Sequence, residues 1–256
     1  MSSPILQAES LRSAGVRHGF STRVGGTSVG PFASFNLSTK VGDEPSCVAA
    51  NRVRWEDSTG FRWEAVVELE QVHGAEVLVV DEPVVALPPA LARRFDAAVT
   101  QRNDTVLAVR TADCVPVLLY CPQPRSVGIV HAGWRGSLSG VAAMAVATME
   151  SQFGCRPAVL HVAIGPCIHT ERFLVGPEVH TPFLARFGTQ VALRKGQRLA
   201  LDLVAANRCC LLEAGCRPEH IEDIDLCTFS REDLFFSHRR DEGRTGRQMA
   251  HISLAT

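Results

Sequence analysis

Residues 106–120 read VLAVRTADCVPVLLY. The run is a nearly continuous apolar strand, split into strand-like pieces at 105–110 and 115–120 by a polar middle, Arg110, Thr111, Asp113 and Cys114. An aspartate buried inside such a run costs several kcal/mol unless it is paired. A functional reason for Asp113 is therefore expected. Cys114 alone would be a core thiol; beside Asp113 and Arg110 it is a candidate ligand or nucleophile.

Outward from this run, further strand-like segments fall at 65–69, 76–80, 127–131, 158–164 and 221–228, with Ala158, Leu160, Val162 and Ile164 on one face. One helix is expected from Ser137 to Phe153, closed by Gly154, and another from Asp202 to Glu213 before Gly215. Leu203, Ala206, Cys210 and Leu211 give the second a core face. Residues 21–45 are rich in Gly, Ser and Thr and read as loops between short strands. Residues 81–95 contain two adjacent prolines and read as an exposed, mobile excursion. Strands come in runs with helices inserted, which predicts an α+β fold over a single domain, 1–256.

The 256 residues include 46% hydrophobic ones, enough for one large core. With 26 basic and 27 acidic residues the net charge is -1, which offers no global field for nucleic acid or an anionic membrane. A small, locally recognised substrate fits better. No stretch approaches the length of a membrane span, and the N-terminal residues lack the basic start and apolar run of a signal peptide. Nine cysteines, an odd number with no C-x-x-C, are expected to be reduced, mostly as buried hydrophobes, in a cytoplasmic protein.

Two more segments invite a chemical reading. Gln71-Val72-His73-Gly74 lies between apolar runs, so His73 is free to point into a cleft. His131-Ala132-Gly133-Trp134-Arg135-Gly136 precedes the first helix as a strand-to-helix elbow. Amides at a helix start hold anions, and Arg135 adds charge. His73, Cys114 and His131, each at the end of an apolar run, together form a candidate open metal site. Catalytic zinc commonly takes three protein ligands and keeps one position for water, whose pKa it lowers to about 7. Cys with two His also suits copper. A multicopper cluster is not expected, because the chain has nine histidines and no His-x-His pair. Near the C-terminus, Ser237-His238-Arg239-Arg240 and Thr245-Gly246-Arg247 are candidates for lining an anion site. Asn51-Arg52 opens or sits within a short helical segment and says little by itself.

The ordered set STRVGG, FNLS, GDEP, NR, QVHG, DAAVT, RTADCVPVLL, HAGWRG, AIGPCI, CTF and FFSHRR with TGR resembles the YfiH-like family. That family is also labelled laccase-domain or polyphenol oxidase, purine nucleoside phosphorylase, and peptidoglycan editing factor. The resemblance runs nearly end to end. It implies layered mixed sheets with outer helices, as in a cysteine hydrolase fold, and places metal ligands on His73, Cys114 and His131. It implies phosphorolysis of adenosine, inosine and S-methyl-5'-thioadenosine, with zinc-dependent adenosine deamination. Arg52, Gln71, Arg135 and Arg239 are then the candidates for holding phosphate or substrate. Asp113 or a histidine would serve the departing purine. The distant relation to Cys-His hydrolases implies the alternative of Cys114 with His131 removing L-serine from a UDP-muramyl amino acid. Copper-dependent polyphenol oxidation and a non-catalytic metal-binding module complete the alternatives. The chain departs from the family pattern at Phe173-Leu174-Val175-Gly176, where an aromatic-Glu-Val run is usual.

Overall fold

The computed structural model describes residues 5–86 and 94–254. Most of the 81–95 excursion, residues 87–93, therefore lies outside the described residues. Two mixed sheets make the body. The first holds β1 (Ile5–Leu6), β2 (Arg17–Ser21), β3 (Val66–Glu68), β6 (Val106–Thr111) and β13 (Gln248–Ser253), in the order β1-β2-β13-β6-β3. The second holds β4 (Val77–Val80), β5 (Ala97–Thr100), β7 (Val115–Pro122), β8 (Arg125–Ala132), β9 (His161–Ile164) and β12 (Ile221–Asp223), in the order β12-β9-β7-β8-β5-β4. Within them β3 runs parallel to β6, β4 to β5 and β12 to β9.

Pleat alternation explains why the 106–120 run is apolar nearly throughout. Leu107 and Val109 meet Leu118 and Tyr120 in a core between the sheets, together with Phe20, Ile129 and Ile252. Val106 and Ala108 face the other way, onto Trp55 of α2 (Pro45–Thr59), with Phe35, Leu37, Phe61 and Met249. Val117 and Leu119 pack under α4 (Val141–Phe153), α5 (Pro177–Phe187) and α6 (Leu203–Glu213) through Val146, Met149, Phe183 and Leu211. Both faces of each central strand are thus covered, and the layers run helix, sheet, sheet, helix. The fold is α+β, as expected. Each large side chain buried here contributes about 1.5–3 kcal/mol.

Several boundaries differ from the sequence reading. The helix expected from Ser137 is two helices, α3 (Trp134–Ser139) and α4, broken at Gly140, whose φ of 78° favours glycine. The run 158–164 opens with a 3-10 turn, Pro157–Val159, and only His161–Ile164 is strand. The run 221–228 stops at Asp223, leaving Cys227 in an isolated bridge to Cys167. Helix α2 escaped periodicity because few of its residues are apolar and only Val48, Asn51 and Trp55 are buried. Strands β2 and β13 escaped because histidines and polar residues occupy buried positions, among them His18, Gln248, His251 and Ser253.

Candidate active site

The chain crosses between the two sheets at four places, and the chemistry gathers at two of them. Between β3 and β4 the crossing carries His73; between β6 and β7 it carries Asp113 and Cys114. His131 lies near the end of β8, where Pro116 pairs with it and Val115 pairs with Ala132. The ladder's end thereby brings Cys114 beside the elbow after His131. His73 and Asp113 adopt left-handed backbone, with φ of 60° and 93°. Such strain in non-glycine residues persists where the surroundings hold it. Gly133 must be glycine: a Cβ there would lie 2.5 Å from His73 Nδ1 and 3.2 Å from Cys114 Sγ.

Asp96 organises these parts, and the sequence analysis missed it. It is fully buried. Its Oδ1 accepts from His131 Nδ1 at 2.7 Å and from the His73 N–H at 3.0 Å. Its Oδ2 accepts from the Gly74 and Val72 N–H groups at 2.6 and 3.1 Å. One carboxylate therefore ties both histidines together. The signal was available, because Asp96 heads the apolar DAAVT segment and the burial argument applied to Asp113 applies to it equally.

The ligand atoms of His73, Cys114 and His131 all lie within 4.8 Å of one another, and among the described residues this is the one such group. Burial raises the Cys114 thiol, but the neighbouring His131 and His73 outweigh it and bring it down to about 6. Burial lowers His131, but Cys114 and Asp96 raise it to about 9. Burial also raises Asp96; the imidazole and the amides of Gly74 and Val72 leave it below its ordinary value. Two imidazoles and a readily formed thiolate, with one imidazole oriented by a carboxylate, fit a single zinc. One copper suits the same donors. A cluster of several coppers does not fit, since no second group of ligands is found among the described residues.

The triad opens on a cavity of about 490 Å³. Gln71, Asp113, Arg135 and Arg239 line it, as the sequence analysis expected, and Lys40, Arg110, His238 and Arg247 join them. Arg52 does not line it: its guanidinium lies on the Trp63 ring and pairs with Glu68 at 3.1 Å. Its α2 neighbour Asn51 fastens the 21–45 loop through Thr27, Ser28, Ser34 and Asn36, which accounts for the NR pair. Gln71 spends its amide on the main chain of Arg110, donating at 2.7 Å and accepting at 2.9 Å. Asp113 accepts from Thr228 Oγ1 and from the Arg239 N–H, each at 2.7 Å, so both its oxygens are engaged. Arg135 and Arg239 are exposed and lie over the rings of Trp134 and Phe173, at 4.1 and 5.0 Å. Arg240 instead holds the carbonyls of Thr228, Phe229 and Phe235 and pairs with Asp241, a structural role.

Residues 17–255 match the family described as multi-copper polyphenol oxidoreductase laccase. The chain belongs to this laccase-domain family. A relative from Deinococcus radiodurans called purine nucleoside phosphorylase is 38% identical, covering 98% of this chain and 93% of its own. The purine nucleoside phosphorylase YlmD of Geobacillus stearothermophilus is also 38% identical, over 93% and 90% of the two chains. The crystal structure of that YlmD superposes with a TM-score of 0.90 over all of both chains, and that of YfiH from Bacillus licheniformis with 0.91 over 99% and 97%. Among the described residues the site offers one ligand triad of His73, Cys114 and His131. No helix of the described chain is long and apolar enough to cross a membrane.

Proposed function

We propose that this chain is a purine nucleoside phosphorylase acting on adenosine, inosine and S-methyl-5'-thioadenosine, with zinc-dependent adenosine deamination as a second activity of the same cavity. The observation that carries the reading is the meeting of the His73–Cys114–His131 triad with five cationic side chains, Lys40, Arg110, Arg135, Arg239 and Arg247, against two carboxylates, Glu70 and Asp113, in one cavity of about 490 Å³. That volume lies within the range of small-molecule sites, and the excess of cations in an almost neutral chain selects an anionic co-substrate. The names of the relatives support the purine nucleoside phosphorylase part of this reading.

In this reading the cations fix orthophosphate beside the sugar, so that attack on the glycosidic carbon becomes effectively unimolecular. Arg135 and Arg239, propped on aromatic rings, guard the mouth. The expected anion seat at the start of the elbow helix is secondary, because α3 has only six residues and a correspondingly small dipole. With both Asp113 oxygens engaged, proton donation to the departing purine falls to a cavity histidine, and His238 is the one outside the triad. A zinc at this site would be held by His73, Cys114 and His131 and would supply Lewis acidity, while Asp96 orients His131.

Base release from inosine tests the proposal. Hypoxanthine is expected to appear only when orthophosphate is present; equal release without it contradicts phosphorolysis. One observation favours a second reading. Cys114, His131 and Asp96 stand in the order of a nucleophile, its base and the base's orienting carboxylate, as a Cys-His hydrolase requires. That reading extends to removal of L-serine from a UDP-muramyl amino acid, and serine release from that nucleotide by metal-free protein would support it.

A further inference from the structure

The charges lining the cavity do not cancel, and the imbalance is localised. Glu68 is shared: Oε1 pairs with Arg52 and Oε2 with Arg110, each at 3.1 Å. Two guanidiniums thus depend on one carboxylate. The Arg110 side chain is only 11% exposed. Lys40 pairs with Glu70 and is neutralised locally. Arg247 is different. It is half-buried, its Nη1 donates to the carbonyls of Thr245 and Gly246 at 2.9 Å, and no described carboxylate lies within ion-pairing distance. A cation withdrawn from water without a counter-ion costs several kcal/mol. Counting Arg52, Arg110 and Arg247 against Glu68, this wall carries a positive excess of two, which the Asp113 carboxylate lining the same cavity offsets in part.

The sheet register puts both on one side. Arg110 pairs with Met249 in the β6–β13 ladder. Strand alternation places residue 247, two before Met249, on the face of Met249 and Arg110, as diagonal neighbours. Both side chains line the cavity. Each is also held from behind. The Gln71 amide clamps the Arg110 main chain on both sides. Asn36 Oδ1 accepts the Arg247 N–H at 2.9 Å, and the Arg247 carbonyl accepts from Leu37. The guanidiniums are thus set before a ligand arrives, which lowers the cost of binding it. Burial holds the Arg247 guanidinium below its ordinary value, with Cys114 and Asp113 opposing this and the charge of Arg110 adding to it; burial and Arg110 likewise lower Lys40 against the pull of Glu68. An anion between them would relieve the repulsion.

We propose that Arg110 and Arg247 form the seat of a phosphoryl dianion, orthophosphate, in this cavity, with Glu68 and Arg52 positioning Arg110 from behind. This deepens the phosphorolytic reading and rests on it. Two guanidinium forks facing one tetrahedral dianion match both its charge and its oxygens.

The test is calorimetric titration of inorganic phosphate into the intact, metal-loaded protein, with no nucleoside present. Arg110→Gln and Arg247→Gln are each expected to weaken phosphate by about tenfold or more, the worth of a charge-assisted hydrogen bond. Arg102→Gln, which removes a half-buried charge paired with Asp104 outside this cavity, is the matched control and is expected to leave phosphate affinity unchanged. Should either glutamine variant fail to fold, Arg110→Lys or Arg247→Lys replaces it, keeping the charge and losing the fork, with a smaller loss expected. Wild-type affinity in both glutamine variants would overturn the proposal. So would a wild-type protein that ignores orthophosphate but binds a nucleoside 5'-monophosphate, because the dianion would then arrive as an ester. Inosine cleavage, measured separately, keeps the phosphorolytic reading distinguishable: phosphate-dependent cleavage that survives both substitutions would remove this seat and leave phosphorolysis standing.

Discussion

Two histidines buried to the same degree mark two regions of opposite character. His131, 3% exposed, sits near the end of β8, beside the two crossings that carry His73 and Cys114; His251, 2% exposed, sits inside the five-stranded sheet on β13. His131 is raised to about 9, because Cys114 and Asp96 outweigh its burial. His251 is lowered to about 3 by burial, with His18 and Arg17 adding to it. Its ring lies edge-on to Trp55 and Phe61, at 5.2 and 5.8 Å, and its Nδ1 has no partner. Burial is common to both, so the partner decides the charge state. A thiol and a carboxylate together convert a core position into a reactive one.

Removing that carboxylate breaks the comparison most severely. Asp96→Ala leaves three main-chain N–H groups and His131 Nδ1 without their acceptor. The expected loss is about 3–5 kcal/mol of unfolding free energy, with loss of bound metal. Urea unfolding and elemental analysis measure both; a change below about 1 kcal/mol with metal retained would mean that Asp96 does not organise the site.

The other region is tested by acid. A histidine whose folded-state pKa is depressed costs nothing above its unfolded value near 6.5. Below that the unfolded chain takes up a proton that the folded chain refuses until about 3, so stability falls as pH falls through this window. His251 alone is expected to remove about 2 kcal/mol between pH 6.5 and 5.0. Unfolding of wild type and His251→Phe at the two pH values checks this. An equal acid loss in the variant would place the sensitivity elsewhere, His18 being the next buried candidate.

A smaller effect sharpens the role of Cys114. In metal-stripped protein at pH 7.5 its thiolate predominates, whereas burial raises Cys167 well above the ordinary thiol value. Iodoacetamide is expected to modify Cys114 first, and metal loading to slow that by about tenfold or more as the thiolate becomes a ligand. Mass spectrometry of the alkylated peptides reads the result, and equal rates with and without metal would favour the nucleophile over the ligand. Smallest of all should be Arg52→Ala. Acting only through Glu68, it is expected to raise the KM for phosphate by about threefold. A loss as large as that of Arg247→Gln would put Arg52 in direct contact with the anion.

The comparison also shows what could be read in the sequence. The triad was legible because His73, Cys114 and His131 each interrupt or end an apolar run, where polar residues need a reason. The α+β class followed from strands that come in runs with helices inserted, and the layering from the resemblance to the YfiH-like family. Asp96 was overlooked because the segment AAVT after it is short and bland, and its partners, the amides of residues 72–74 and the His131 ring, lie more than twenty positions away in the chain. Strand β13 was overlooked for a related reason: Gln248, His251 and Ser253 look like surface residues until the neighbours that bury them are known. Arg52 misled in the opposite direction. Its charge was evident, but only the fold shows Glu68 and Trp63 engaging it away from the cavity. Local pattern reports burial; it does not report which partner waits across the sheet.

The central claim is that the triad and the cationic wall together cleave purine nucleosides with phosphate. Phosphorus NMR of inosine incubated with the metal-loaded protein and orthophosphate tests it most directly. A ribose 1-phosphate resonance is expected to grow in step with hypoxanthine and to be absent with Cys114→Ser. Free ribose formed at the same rate with and without phosphate, and no sugar phosphate signal, would contradict the account.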